Sequence, residues 1–130
     1  MAALSDHLEK LLLDWSMTTG TAARPTAWFL ALYTAAPSDS GGGTEVSGGG
    51  YARQAIAFGA ASSPEGTTSN TAAVEFTADG AAYGTVTHIG IFDASTGGNL
   101  LWHGAMTTSR TIGDGDTLSF AIGDVVLTLA

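Results

Sequence analysis

The apolar positions change their period once along the chain. Leu4, Leu8, Leu11, Leu12 and Trp15 fall at i, i+4, i+7, i+8 and i+11, which is one stripe of an α-helix. Asp6, Glu9, Lys10 and Asp14 fall mostly on the other side. The spacing predicts a helix from Ser5 to Met17. Ser5 or Asp6 can cap it, and Asp6 with Glu9 approximates a capping box. Met17-Thr18-Thr19-Gly20 ends it with poor helix formers. One short helix cannot bury its own stripe, so it must dock on something else. Trp15 is the residue most in need of a partner, either the chain's own sheets or a neighbouring subunit.

After Pro25 the pattern becomes that of short strands between Gly, Ser, Asp and Thr clusters. Thr26 to Tyr33 is a dense apolar run and predicts a central strand. Ser38 to Gly50, with glycine triplets at 41–43 and 48–50, predicts a flexible surface loop whose one core residue is Val46. Tyr51 to Phe58 predicts a second strand, Ala60 to Thr71 a polar loop, and Ala72 to Phe76 a short strand. Gly84 to Phe92 is the clearest strand. Its alternation places Thr85, Thr87, Ile89 and Ile91 on one face and Val86, His88, Gly90 and Phe92 on the other. Gly97-Gly98 signals a hairpin into a returning strand, Leu100 to Met106. Gly113-Asp114-Gly115-Asp116 reads as a tight turn, followed by a final strand pair, Leu118 to Ile122 and Asp124 to Leu129. Gly123-Asp124 between them either turns or bulges the chain. Seven or eight short strands with no helices between them predict antiparallel sheets. The expected fold is mainly β: a single antiparallel β-sandwich, jelly-roll-like, over residues 1–130, with one short N-terminal helix.

Composition narrows the function. The chain has 130 residues, the size of one domain, and no cysteine, so disulfides are excluded. Four Lys and Arg stand against twelve Asp and Glu, a net charge of −8. So few cations cannot neutralise the several phosphates of a nucleic-acid site, and they disfavour anionic membranes. No apolar run approaches the ~20 residues of a membrane-spanning helix. Asp6 and Glu9 precede Leu11-Leu12-Leu13, the wrong order for a secretory signal. No nucleic-acid or membrane partner is expected.

Candidate chemistry is sparse. If the strands around Ala94–Gly98 form a hairpin, His88 and His103 become cross-strand neighbours. A metal would still want a third ligand, for which Asp93 and Asp116 are candidates that the sequence does not place. Ordinary sheet histidines are the expectation, with no metal. The Gly113–Asp116 run lacks the further oxygens and closing Glu of a calcium loop. The glycine triplets lack the lysine and the helix of a phosphate loop. No serine lies in a nucleophile elbow, and Asp114 and Asp116 on a turn tip lack the desolvation that acid–base work needs. No enzyme activity and no cofactor are expected.

Several blocks in order carry a family likeness. They are Leu4 to Leu13, Leu30-Ala31-Leu32-Tyr33-Thr34-Ala35-Ala36-Pro37, the run from Gly41 to Gln54, Gly84 to Ala94, Gly97 to Leu101, and Gly113 to Thr117 with a closing apolar strand. Together they resemble a family of small tailed-bacteriophage virion proteins, often labelled phage tail fibre proteins. The chain departs most from it at Ala60–Thr71 and Thr77–Tyr83. The resemblance implies a structural role and no catalytic residues. It implies partners among other virion proteins, the major capsid protein or tail proteins, and a homo-oligomer. The expected place is the virion, on the outer surface of the head or on the tail, after synthesis in the host cytoplasm. The first expectation is a capsid decoration or cement protein; the alternative is a tail fibre or tail-tip component that contacts the host surface. Leu8, Leu11, Leu12 and Trp15 are the candidate subunit contacts.

Overall fold

The computed structural model describes residues 2–129; Met1 and Ala130 of the expected domain lie outside the described residues. In chain order the elements are β1 (Ala2–Leu4), α1 (Asp6–Met17), β2 (Phe29–Ala35), β3 (Thr44–Glu45), β4 (Gln54–Ala55) and β5 (Thr67–Ser69). There follow β6 (Val74–Thr77), β7 (Gly84–Phe92), β8 (Leu100–Ile112), β9 (Thr117–Phe120) and β10 (Val126–Thr128). All pairings are antiparallel. One sheet of six strands runs β1-β8-β7-β2-β3, with β4 also on β2. Two small ladders, β10-β5 and β6-β9, form the rest. The expected mainly β, antiparallel fold with one N-terminal helix is observed, with its strands divided six, two and two.

The core lies between these layers. Leu30 and Leu32 from β2, Val86 and Ile91 from β7, and Ile112 from β8 meet Val74, Phe76, Leu118, Phe120 and Leu127 from the small ladders. Aromatic rings tie the layers together. Tyr51 stacks on Phe76 at 6.1 Å and meets Tyr83 edge-on at 5.7 Å, and Phe76 meets Phe120 edge-on at 6.3 Å. On the opposite face of the large sheet, Ala31, Tyr33, Phe92 and Leu100 form a second, smaller cluster.

Six expectations need correction. The strict alternation of Gly84–Phe92 fails at Thr87. Val86 pairs with Arg110 but His88 pairs with Ala105, so Met106–Ser109 on β8 oppose Thr87 alone. This bulge switches the faces and puts Val86, fully buried, in the same core as Ile91. For the same reason β8 does not stop at Met106. Its polar continuation regains β7 at Arg110, Thr111 and Ile112, since backbone pairing needs no apolar side chains there.

The segment Ser38–Gly50 is not one flexible loop. Ser38 and Gly41 form a β-bridge, and β3 pairs with the end of β2. The Tyr51–Phe58 strand shrinks to Gln54–Ala55. β3 and β4 occupy the same edge of β2 in succession, at Tyr33–Ala35 and at Phe29–Leu30, with Ser47–Arg53 looping out between them. The predicted loop Ala60–Thr71 contains β5. Lastly, β9 and β10 do not pair with each other. The turn at Ala121–Asp124 sends β9 to β6 and β10 to β5.

Candidate functional site

The helix is fixed at its beginning. Ser5 caps α1: its Oγ accepts from the Leu8 amide at 3.2 Å and donates to the Leu100 carbonyl. The Ser5 amide donates to the Leu101 carbonyl and the Asp6 amide to the Asp39 carbonyl, both at 2.9 Å. Leu8 is then pressed into the domain and is 9% exposed. Leu11 and Leu12 are half-buried. Trp15 stands seven residues beyond Leu8, two turns along the same face, yet it is 73% exposed. Leu13 and Met17, on the opposite face, are 60% and 77% exposed. The helix therefore runs past its support, and Leu13, Trp15 and Met17 leave apolar surface uncovered on its last turns. Of the four candidate contacts, Leu8 serves internal packing, Leu11 and Leu12 lie at the boundary, and Trp15 faces solvent.

A second constellation is a polar clamp that the sequence pattern did not reveal. Where Ser47–Arg53 loops out, β2 loses its partner strand and the Leu32 amide would be unpaired. The Tyr51 hydroxyl accepts from it at 3.0 Å and donates to Glu45 Oε2 at 2.7 Å. Arg53 completes the group. Its Nε and Nη2 donate to the two Glu45 oxygens at 2.9 Å each, and Nη1 donates to the Ala94 and Gly97 carbonyls at 3.0 and 2.8 Å. Its guanidinium carbon lies 3.6 Å from the centroid of the Phe92 ring. Burial alone would raise the Glu45 carboxyl, but the hydrogen bonds and charge of Arg53, with the bond from Tyr51, hold it below its ordinary value. Burial, aided by the Glu45 charge, pushes Tyr33 up to about 12. The clamp joins β3, the loop before β4 and the β7–β8 hairpin. The available signal was an arginine inside an alanine-rich run, in a chain with four cations, eight residues after a lone glutamate.

The histidines are not brought into a metal site. His88 pairs with Ala105 and His103 with Gly90, so they are staggered rather than opposed. His88 Nδ1 shares a hydrogen bond with Thr87 Oγ1 at 2.8 Å, and His103 Nε2 with Asp39 Oδ1 at 2.7 Å. Among the described residues no three His, Asp or Glu side chains group as metal ligands. Asp114 accepts from the Gly80 amide and Asp116 from the Gly113 amide, which is the work of turn residues. Asp93 does the same for Asn99, accepting from its amide and its side chain.

A cleft of about 440 Å³ opens between the large sheet and the β9 and β10 segments. Its walls include Trp102, Thr108, Arg110, Ser119, Phe120 and Asp124. The bulge of Met106–Ser109 lies along it. Among the described residues no helix is long and apolar enough to cross a membrane.

Comparison with curated proteins gives no match. The blocks that shape the clamp, the hairpin and the closing turn nevertheless lie within a span, residues 3–128, that matches the family described as Podophage GP4 fiber I protein gp80. The chain belongs to this family of phage fibre-type virion proteins.

Proposed function

We propose that the chain is a non-enzymatic structural protein, one domain over residues 1–130, that holds virion subunits together through the free end of α1. The observation that carries this reading is the contrast along one helix face: buried Leu8 anchors the helix, and exposed Trp15 extends the same stripe beyond the domain. Leu11, Leu12 and Trp15 are the contact surface. Leu8 supports it from behind. The partner is another virion protein, the major capsid protein or a tail protein, and the assembled form is a homo-oligomer. The charge of −8 disfavours nucleic acid and anionic membranes as partners.

In the first form of the proposal the chain decorates the outer surface of the head. A small layered domain whose helix projects past its support, able to reach a neighbouring subunit, supports that form. The second form places it in a tail fibre or at the tail tip, and the description of its family supports that one. Immunogold labelling of virions separates them by position. Head decoration also requires that particles lacking the chain lose heat or osmotic resistance before they lose adsorption; the tail form requires the reverse.

The contact itself is tested with Trp15→Asp and Leu12→Asp. A charge buried in a dry interface loses its hydration and gains no partner. The expected result is a folded chain that no longer joins particles. Normal incorporation of both folded variants overturns the proposal.

A further inference from the structure

The chain carries four basic side chains. Lys10 is paired with Asp14 and Arg53 with Glu45, while Arg24 lies 5.9 Å from the centroid of Trp28. Arg110 has neither a carboxylate within ion-pair distance nor a ring beneath it among the described residues. In so acidic a molecule an arginine without a counter-charge is conspicuous by arithmetic alone: twelve carboxylates are available. Arg110 instead lines the cleft between the layers. It is the first residue of β8 to regain β7 after the Met106–Ser109 bulge. Bulges re-aim side chains and recur beside binding sites.

The cleft has the size and chemistry of a ligand site. Its volume of about 440 Å³ falls within the ~300–1,000 Å³ of small-molecule pockets. Trp102 supplies aromatic surface, and Thr108 and Ser119 supply hydroxyls that donate or accept. Asp124 uses Oδ2 to accept from the Ala121 amide, which leaves Oδ1 as an acceptor. A cation, an acceptor and hydroxyls beside aromatic surface suit a ring with one carboxylate, several hydroxyls and an apolar face. We propose that this cleft binds an acidic sugar, with Arg110 holding its carboxylate. An acidic peptide offers the carboxylate but not the hydroxyl donors that Asp124 and the hydroxyl groups would take. The charge of −8 favours a ligand with one carboxylate per ring over a dense polyanion.

The test titrates the full chain with galacturonate, glucuronate and N-acetylneuraminate oligosaccharides, with their methyl esters, and with a Glu-rich peptide. Calorimetry gives affinity, and indole resonances report on Trp102. At least one acidic saccharide should bind and shift Trp102. Esterification or Arg110→Gln should weaken it about tenfold or more, because each removes a charge-assisted pair. Arg110→Lys should retain part of the affinity, since it keeps the charge without the planar fork. Thr108→Val should also weaken binding, and Glu65→Gln, exposed and outside the cleft walls, should leave it unchanged. The proposal is overturned if no acidic saccharide binds, if the esters bind equally well, if folded Arg110→Gln binds like the parent, or if the peptide alone binds.

Discussion

Arg53 grips Glu45 through two parallel hydrogen bonds, both 2.9 Å long, while its other nitrogen holds the hairpin carbonyls of Ala94 and Gly97. The arginine side chain is 9% exposed, so removing either partner strands a charge in a place with little water. Arg53→Met is expected to cost about 3 kcal/mol. The double change with Glu45→Gln should cost less than the two single changes added together. Thermal unfolding of the four proteins measures this, and additive costs would show that the pair is not coupled.

Acid should weaken the fold through the same carboxylate. Glu45 and Asp93 are held below their ordinary values of 4.5 and 3.8. The unfolded chain then takes up the proton first as pH falls. Their stabilisation is complete above those ordinary values and is lost as pH drops through the folded-state values. Tyr33 acts in the opposite sense. Raised from 10.0 to about 12, it contributes stability that is complete below pH 10.0 and is lost as pH rises towards 12. Melting temperature against pH should fall at both ends, and Glu45→Gln should flatten the acid side. An unchanged acid side would remove Glu45 from the explanation.

Asn70 should behave as a core residue despite its polarity. It is 1% exposed. Its Oδ1 accepts from the Val125 amide at 2.9 Å, and Nδ2 donates to the Ala72 and Ala121 carbonyls at 2.8 and 3.0 Å. Asn70→Ala leaves the Val125 amide and the Ala72 carbonyl without partners, while the Ala121 carbonyl keeps the Asp124 amide, at a cost of about 3 kcal/mol. Amide exchange should rise first at Val125. Loss of less than about 0.5 kcal/mol would count against the bonds.

Two adjacent glycines should respond differently to alanine. Gly48 and Gly49 have φ of +78° and +60°. A side chain at Gly48 meets open space, so Gly48→Ala carries only the left-handed backbone cost of about 1 kcal/mol. At Gly49 the new Cβ would lie 2.5 Å from the Ala81 carbonyl oxygen. Gly49→Ala should therefore cost at least twice as much, measured by denaturant unfolding. Equal costs would mean that the Ala81 segment yields freely.

Leu8 and Trp15 share a helix face but should not share an effect on stability. Leu8→Ala opens the packing under α1 and should cost about 2–3 kcal/mol. Trp15→Ala should stay within about 0.5 kcal/mol, as an exposed change does. A large loss for isolated Trp15→Ala would place that ring against its own domain and remove it from the subunit contact.

Residue order alone sets the local elements whose signal is periodic. The α1 stripe, the long β7 strand, the Gly97–Gly98 hairpin and the Gly113–Asp116 turn all follow from residue order, because helix, strand and turn geometry act over a few residues. Composition also limited the chemistry, through twelve carboxylates against four cations and no cysteine.

Pairings between distant residues were decided only by the tertiary structure. Nothing local distinguishes Glu45 and Arg53 from a solvated pair; burial over Phe92 and the gap in β2 do so. Asn70 reads as a loop residue until Ala121 and Val125, more than fifty positions later, close around it. The bulge opposite Thr87 arises from the match between two strands, and neither strand encodes it alone. Trp15 lay on the correct face of a correctly located helix. Its exposure depends on where the supporting sheet ends beneath α1, and only the assembled layers determine that.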